Sequence, residues 1–345
     1  MIIMRGLGNA NPLMIIVIDK GVNDIMDMLK KQPLQSPIPP LSNTWKNKII
    51  QDWQKHWHLY LMLLPVVVFY LLWSYGPMYG VVVAFKEFSP RKGILGSPFV
   101  GFVYFKEFFS SPYAFRVIRN TLVINLWNLA VGFPLPIVFA LLLNEVRNKL
   151  YKRTVQTITY MPYFISTVVI CGMLVDFAAS DGVFGEITKM FGGIPTNLLA
   201  EPDLFRSIYV GSDLWQRLGW DSIIFLSAFS AINSELYEAA TIDGAGKLKQ
   251  VFHITLPGIL PTIAILLILR VGSMMSLGFE KIILLYNPLT YETGDVISSF
   301  VYRKGIVENN FSYSTAVGLF NSIINFVLVV FANRASAKMT ETSLW

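Results

Sequence analysis

The chain has 345 residues, of which 54% are hydrophobic and only 14% are charged. Soluble domains carry about 25% charged residues, so the composition argues against a soluble domain and indicates that a bilayer solvates much of the chain. The net charge of +6 comes from basic residues between apolar runs, which fits anionic lipid better than nucleic acid. The single cysteine, Cys171, lies inside an apolar run and excludes an intrachain disulfide framework.

Residues 1–55 precede the first long apolar run. The segment 12–18 is apolar but too short to span a bilayer. Asp19 and Lys20 follow it without the small-residue cleavage pattern of a signal peptide. The proline-rich segment 33–40 is typical of a linker. We therefore expect 1–55 to form a polar cytoplasmic extension.

A transmembrane helix needs roughly 20 apolar residues, and five stretches of the chain reach or approach that length. A sixth stretch has a weaker apolar signal, because its first half contains four polar or charged residues: Asp213, Gln216, Arg217 and Asp221. Together they predict an all-α membrane domain over 56–340, with six spans at about 57–75, 120–143, 158–179, 212–233, 256–280 and 313–333.

The loop charges predict the orientation of these spans. With the N-terminus inside, 144–157 is cytoplasmic and carries four basic residues against one acid, whereas 180–211 is external and carries four acids against two basic residues. This is the asymmetry of the positive-inside rule. The basic loop 76–119 is an exception. The pattern predicts a multi-pass membrane protein with both termini in the cytoplasm.

The most specific pattern lies in the predicted cytoplasmic loop 234–257, where residues 238–261 read EAATIDGAGKLKQVFHITLPGILP. A helix is predicted to start at Glu235, with acids in its first turn. Gly244 permits a left-handed backbone at a turn, a second helix begins at Lys247, and Pro257 kinks or ends it. Small residues around the turn allow another protein surface to approach closely. These are Ala239, Ala240, Ala245 and Gly246.

This segment resembles the EAA motif of binding-protein-dependent ABC importers. The stretches GFPLPIVFALLLNEVRN, RTVQTITYMPYFIS, YNPLTYETGDVISSFVYR and SYSTAVGLFNSIINF resemble the sugar-permease branch of that family, including its alginate-type and lipoprotein-linked systems. The likeness covers about 57–345 and implies a MetI-like permease core with a cytoplasmic coupling helix that seats in an ATPase groove. The positions it assigns to ATPase coupling are Glu238, Ala239, Ala240, Asp243, Gly244, Ala245, Phe252 and Pro257.

The resemblance also implies a location in the bacterial cytoplasmic (inner) membrane and a set of partners. A second homologous permease completes the pathway, two ATP-binding-cassette subunits hydrolyse ATP, and an extracytoplasmic solute-binding protein delivers an oligosaccharide or complex sugar. The chain itself is predicted to be no enzyme. Its Gly244-Ala-Gly-Lys247 lacks the upstream glycine of a phosphate loop and has Leu248 where the magnesium-binding hydroxyl belongs. ATP and Mg are therefore expected on the partner subunits, with no cofactor on this chain. The histidines His56, His58 and His253 are too scattered to predict a metal site.

Polar residues inside the predicted spans suggest a substrate pathway. Charges at membrane depth cost about 2.5–3.5 kcal/mol, so Arg270 either contacts substrate or pairs with a partner-chain carboxylate or a backbone carbonyl. We favour the structural pairing. Asparagine suits sugar hydroxyls but is equally common as interhelical glue. The candidate pathway residues are Asn125, Asn128, Asp213, Trp215, Gln216, Arg217, Arg270, Asn321 and Asn325.

Two alternatives remain open from the sequence. An ion-coupled secondary sugar transporter would need intramembrane acids, and Asp176, at the end of a predicted span, is the best candidate. A non-transporting scaffold or channel would leave the EAA-like loop unexplained.

Overall fold

The computed structural model describes residues 45–275, 278–340 and 343, with side chains placed for 52–275, 278–338 and 343. Most of the predicted N-terminal extension, up to residue 44, lies outside the described residues. The described part of the chain divides into two compact units, with the boundary between Ser74 and Tyr75. In the first unit, helix α1 (Trp45–Tyr70) is interrupted at His56, whose backbone is not helical (φ −124°, ψ 20°). The apolar side chains that follow His56 in α1 are exposed, as expected for a helix that contacts lipid.

The second unit is built from helices, and its described part contains no strand beyond one isolated bridge between Lys86 and Phe99. The helices that organise it are α2 (Val103–Ser110), α3 (Pro112–Gly132), α4 (Pro134–Glu145), α5 (Lys149–Tyr160), α6 (Thr167–Ala178), α7 (Val183–Met190), α8 (Pro202–Ser230), α9 (Ser234–Ile242), α10 (Leu260–Gly272), α11 (Phe279–Leu285), α12 (Ile297–Tyr302) and α13 (Phe311–Thr340). Short helical turns connect several of them.

Local sequence explains where these helices start and stop. The Ser111 hydroxyl caps α3 by accepting a hydrogen bond from the Tyr113 N–H, and Pro112 occupies the first turn, where its missing donor does no harm. Asn148 and Asn233 cap α5 and α9 in the same way. Between α3 and α4, Pro134 lacks an N–H and separates the two helices at Phe133.

Four helical stretches are long and apolar enough to cross a membrane: Asp52–Phe85, Pro112–Glu145, Thr167–Met190 and Phe311–Lys338. A fifth is added if Lys247–Gly258 and Leu260–Gly272, bent by 62°, form one broken span. Helix α8 has 29 residues and covers most of the predicted fourth span, 212–233, but is not among these apolar stretches. The prediction of an all-helical membrane domain is therefore confirmed for the described part of the chain.

Two predicted spans differ from the structure. The third, 158–179, is not one helix: α5 ends at Tyr160, a 3-10 turn covers Met161–Phe164, and α6 starts afresh at Thr167. Pro162 removes a backbone donor there, and the Ser166 hydroxyl caps α6. The fifth, 256–280, is also interrupted. Helix α10 ends at Gly272, and α11 begins only at Phe279.

Buried apolar residues hold α3, α6, α8 and α11 together. This cluster includes Ile124, Cys171, Phe205, Tyr209 and Ile282. Burial of each large apolar side chain stabilises the packing by about 1.5–3 kcal/mol where it is removed from water. The same four helices, together with α10, surround the cavity described below.

A second buried group is polar and joins the segment 287–307 to α3. The Asp295 side chain is fully buried and accepts hydrogen bonds from Arg303 (2.6 and 3.2 Å), Arg116 (3.4 Å) and Ser299 (2.9 Å). Burial disfavours the charge on Arg303, but hydrogen bonding to Asp295 and the charge of its carboxylate outweigh this and raise the pKa of Arg303 above its ordinary value. The network is a paired buried charge, the arrangement that a protein interior tolerates.

Candidate functional site

A polar cavity of about 270 Å³ lies among α3, the start of α6, α8, the end of α10 and α11. It brings together six of the candidate pathway residues predicted from the sequence. These six are Asn125, Asn128, Asp213, Gln216, Arg217 and Arg270. The structure therefore brings together polar residues of the predicted second, fourth and fifth spans, whereas the asparagines of the predicted sixth span do not line this cavity.

Three of these residues form a continuous hydrogen-bonded chain across the cavity. Arg270 Nη2 donates to Asn128 Oδ1 (3.0 Å), and Asn128 Nδ2 donates to Asp213 Oδ2 (3.0 Å). A guanidinium only donates and a carboxylate only accepts, so this orientation of the Asn128 amide satisfies both neighbours. Lys281 Nζ lies 3.7 Å from the other Asp213 oxygen. The charges and the amide therefore fix one another's positions.

Aromatic and amide contacts shape another side of the cavity. Gln216 donates from Nε2 to the Ile165 carbonyl (3.3 Å), at the break between α5 and α6. Tyr163, in the same broken segment, stacks on Trp220 with ring centroids 4.4 Å apart and an interplanar angle of 4°. Because Tyr163 also lines the cavity, the interruption of the predicted third span places an aromatic ring beside the polar residues of α8.

Several polar and aromatic residues that line the cavity are absent from the candidates predicted from the sequence. Tyr163, Thr167, Tyr209 and Lys281 all face the cavity. Lys281 is 5% exposed and its Nζ lies 5.2 Å from the centre of the Tyr209 ring. The sequence signal for Lys281 is a lysine followed directly by the apolar run 282–285, because a charge beside such a run needs a partner.

Three candidates do not line the cavity. Asn321 donates from Nδ2 to the Met275 carbonyl (3.1 Å), and Asn325 Oδ1 accepts from the Met275 N–H (2.9 Å). Met275 follows the end of α10, where backbone groups lack helical partners. For these two residues the interhelical role applies, and their assignment to the cavity is corrected. Trp215 is 51% exposed and lies on another face of α8.

Arg270 also borders a second, mostly apolar cavity of about 250 Å³. Arg270 and Ser273 line both cavities, and Asp221 lines only the second. Asp221 Oδ2 lies 3.7 Å from Arg217 Nε. From the sequence, Arg270 is predicted to meet substrate, a partner-chain carboxylate or a backbone carbonyl. Its partner in this chain is instead the side-chain amide of Asn128.

The predicted coupling loop forms two helical segments around a tight turn. Helix α9 ends at Ile242, and Gly244 has φ 76°, the left-handed backbone that the sequence predicts. The Ala245 N–H donates to the Ala240 carbonyl (2.8 Å) and closes the turn. Gln250 braces it by donating to the Ala245 carbonyl (3.1 Å). The chain continues through Lys247–Gln250, a π-helical turn Val251–Thr255 and Leu256–Gly258 before the bend into α10.

This loop presents apolar side chains to the outside. Ile242 is 87% exposed, Leu248 is 75% exposed and Phe252 is 62% exposed. Glu238, Ala239, Asp243, Gly244 and Pro257 are also exposed, whereas Ala240 and Ala245 are half-buried. An open groove lies between the loop and residues 144–147. An ion pair of Lys247 with Glu145 (3.1 Å) connects its two sides. Several exposed apolar residues within one loop are typical of a protein contact surface.

Within the described ranges no group of three or more His, Cys, Asp or Glu residues has the arrangement of a metal site. The second unit is a bundle of apolar helices around a polar cavity, and its loop 234–257 carries exposed apolar side chains. This defines a polytopic helical membrane protein.

The chain belongs to the family of binding-protein-dependent transport system inner membrane components, whose model matches residues 132–341. It is 44% identical over 299 residues to the polygalacturonan/rhamnogalacturonan transport system permease protein YteP of Bacillus subtilis, covering 86% of this chain and 92% of that one. It is also similar to two solved chains, each 42% identical, each covering 85% of this chain and 99% of that one. One, with a TM-score of 0.80, is from a bacterial ABC transporter involved in the import of the acidic polysaccharide alginate. The other, with a TM-score of 0.79, is from a bacterial alginate ABC transporter in complex with an alginate pentasaccharide-bound periplasmic protein.

Proposed function

We propose that this chain is the transmembrane permease subunit of an ATP-binding-cassette importer. With a second homologous permease it forms the pathway for an oligosaccharide or complex sugar that an extracytoplasmic solute-binding protein delivers. The observation that carries the proposal is the polar cavity, in which amide, carboxylate and guanidinium groups from four segments meet beside the Tyr163 ring. Such a cavity offers hydrogen-bond partners to sugar hydroxyls within helices that are otherwise apolar. The alginate transporter and YteP, which resemble this chain, are described as handling polysaccharide-derived sugars.

ATP and Mg bind, in this proposal, to two partner ATPase subunits. The loop 234–257 is the coupling element, because an ATPase groove would cover its exposed apolar residues Ile242, Leu248 and Phe252. The ion-coupled alternative has weaker support: Asp176 is exposed and is not among the residues that line the cavity. The alternatives are separated by whether an ATPase and a solute-binding protein co-purify with the chain.

The coupling proposal predicts selective loss of transport. Gly244→Val forces a β-branched residue into a left-handed backbone, at a cost of about 1–2 kcal/mol, and Glu238→Lys reverses an exposed charge on the proposed ATPase-facing side. Both variants should insert into the membrane normally, associate more weakly with the ATPase and lose sugar-stimulated ATP hydrolysis and transport. We would measure these in the assembled complex with a panel of oligosaccharides.

Gly192→Val is the matched control for backbone strain, because Gly192 also has a positive φ (78°) and no atom lies within 4 Å of an added Cβ. It lies outside the coupling loop and should retain transport. Transport at the wild-type level in both Gly244→Val and Glu238→Lys would contradict the role of the loop.

Six spans with both termini in the cytoplasm complete the proposal. α8 serves as the fourth span, its polar residues facing the cavity, and the bent pair serves as the fifth. Single cysteines at Ser180, Lys247 and Ser343 of a Cys171-free chain should label differently. Only the first should react with an impermeant thiol reagent in intact cells, whereas all three should react after permeabilisation. Labelling of position 247 in intact cells would refute this topology.

A further inference from the structure

We infer that Arg270 is a carboxylate-binding residue, and that the cavity therefore selects sugars that bear an acid group. This inference rests on the proposed transport function and adds the residue that recognises an acid group on the sugar. The similar alginate transporter is involved in the import of an acidic polysaccharide, which agrees with this class of substrate.

The first step is the pairing of charges around the cavity. Lys281 lies 3.7 Å from a carboxylate oxygen of Asp213, and Arg217 lies 3.7 Å from one of Asp221. Glu280, also in the wall, is exposed. Among the side chains that the structure places, none supplies Arg270 with a carboxylate at ion-pairing distance, and its hydrogen-bonding partner is the neutral amide of Asn128. Arg270 is thus the cavity cation left without an anion in this part of the chain.

The second step is the number of donors that Arg270 keeps. A guanidinium carries five N–H donors in a planar fork, and the bond to Asn128 uses Nη2. The fork matches the two oxygens of a carboxylate, which it binds in bidentate fashion. A charge at this depth is costly when unpaired, so an arriving carboxylate would find both the charge and the geometry unsatisfied.

The third step is that the guanidinium is held in place before any ligand arrives. Asp213 holds the Asn128 amide, and Asn128 holds Arg270. Glycine at position 132 leaves room for this orientation of Asn128, because an added Cβ would lie 2.5 Å from Asn128 Oδ1 and displace it. Arg270 also lies in the last turn of α10, where the helix dipole favours a positive charge. The fork is therefore pre-organised, which strengthens binding by removing the cost of ordering it.

The competing occupant is a carboxylate of the second permease. That pairing would be made in every state of the assembled complex and would not depend on the sugar. The observations favour the sugar, because Arg270 lines the polar cavity together with the amides and carboxylate that suit sugar hydroxyls.

The test compares an oligosaccharide of uronic acids with the same oligosaccharide after its carboxyl groups are reduced to alcohols. Uptake is measured in proteoliposomes that hold the full complex with saturating binding protein. Arg270→Gln should lower uptake of the acidic sugar by about 10–100-fold, the range for a lost charge-assisted hydrogen bond. It should change uptake of the reduced sugar less than about twofold. Arg270→Lys, which keeps the charge but not the fork, should lose part of the preference.

Arg153→Gln, which removes an exposed positive charge from α5, is the control and should behave as wild type with both sugars. Equal loss of uptake for both sugars in Arg270→Gln would overturn the inference. So would loss of assembly that Arg270→Lys restores without changing the preference, since that result identifies a partner-chain carboxylate. If the wild-type complex transports neither sugar nor other oligosaccharides, the proposed function fails. If it transports both equally and Arg270→Gln does too, only this inference fails.

Discussion

Asp295→Asn should destabilise the protein by about 3–5 kcal/mol, the range for breaking a buried ion pair by removing one partner. The Asp295 carboxylate is fully buried and receives Arg303 and Arg116. Asparagine keeps the shape but removes the charge, so two guanidinium groups would remain without a carboxylate. Because Asn120 also donates to the Asp295 carbonyl (3.0 Å), loosening this residue should release the segment 287–307 from α3.

The single cysteine provides the measurement. Cys171 is 2% exposed, so a thiol-reactive dye reports unfolding of the purified protein in detergent as that residue becomes accessible. Glu308→Gln is the matched control, because Glu308 pairs with Lys304 at 2.7 Å but its side chain is 44% exposed. An exposed pair contributes less than about 1 kcal/mol. An unfolding temperature of Asp295→Asn equal to that of Glu308→Gln would show that Asp295 does not anchor the segment.

Gly219→Ala should both destabilise the protein and lower transport. An added Cβ at position 219 would lie 2.3 Å from the Thr159 carbonyl oxygen and 2.5 Å from its carbon. Both are backbone atoms, so α5 and α8 must separate. Overpacking of this kind costs about 1–3 kcal/mol or more. The shift would move the broken segment after α5, which places Tyr163 at the cavity and accepts the hydrogen bond of Gln216 at the Ile165 carbonyl.

Gly211→Ala tests the same helix without the clash. Gly211 lies in α8, and no atom lies within 4 Å of its added Cβ. Alanine there should be neutral or stabilise the helix by up to about 1 kcal/mol. Dye-monitored unfolding and sugar uptake are measured for both variants. Equal behaviour of Gly219→Ala and Gly211→Ala would mean that α5 and α8 do not need their close approach.

Helix α8 shows why the predicted fourth span is difficult to recognise from the sequence. Its polar residues Asp213, Gln216 and Arg217 weaken the apolar signal on which span prediction depends. The structure shows that these residues face a cavity rather than lipid. A polar face is compatible with a membrane helix when neighbouring helices enclose it, and enclosure is a tertiary property that hydropathy does not measure.

The fate of the asparagines makes the same point. Asn128 and Asn325 are both asparagines within apolar helices, and sequence alone gives them the same two possible roles. Asn128 meets Arg270 and Asp213 across the cavity, whereas Asn325 accepts from the Met275 N–H where α10 has ended. The difference arises because α10 stops at Gly272, a boundary that hydropathy over the predicted span 256–280 does not reveal.

The features that depend on local chemistry can be predicted from the sequence. Apolar composition specifies a membrane solvent, and only glycine takes the backbone of Gly244 without strain. The residues of the EAA-like turn identified the family. Which polar groups contact one another, by contrast, can be seen only in the tertiary structure. Residues far apart in the chain meet in the ion pair of Lys281 with Asp213 and in the stacking of Tyr163 on Trp220. The burial of Asp295 likewise depends on distant parts of the chain. Their proximity follows from helix packing, which depends on the shapes of all the contacting side chains rather than on any local pattern.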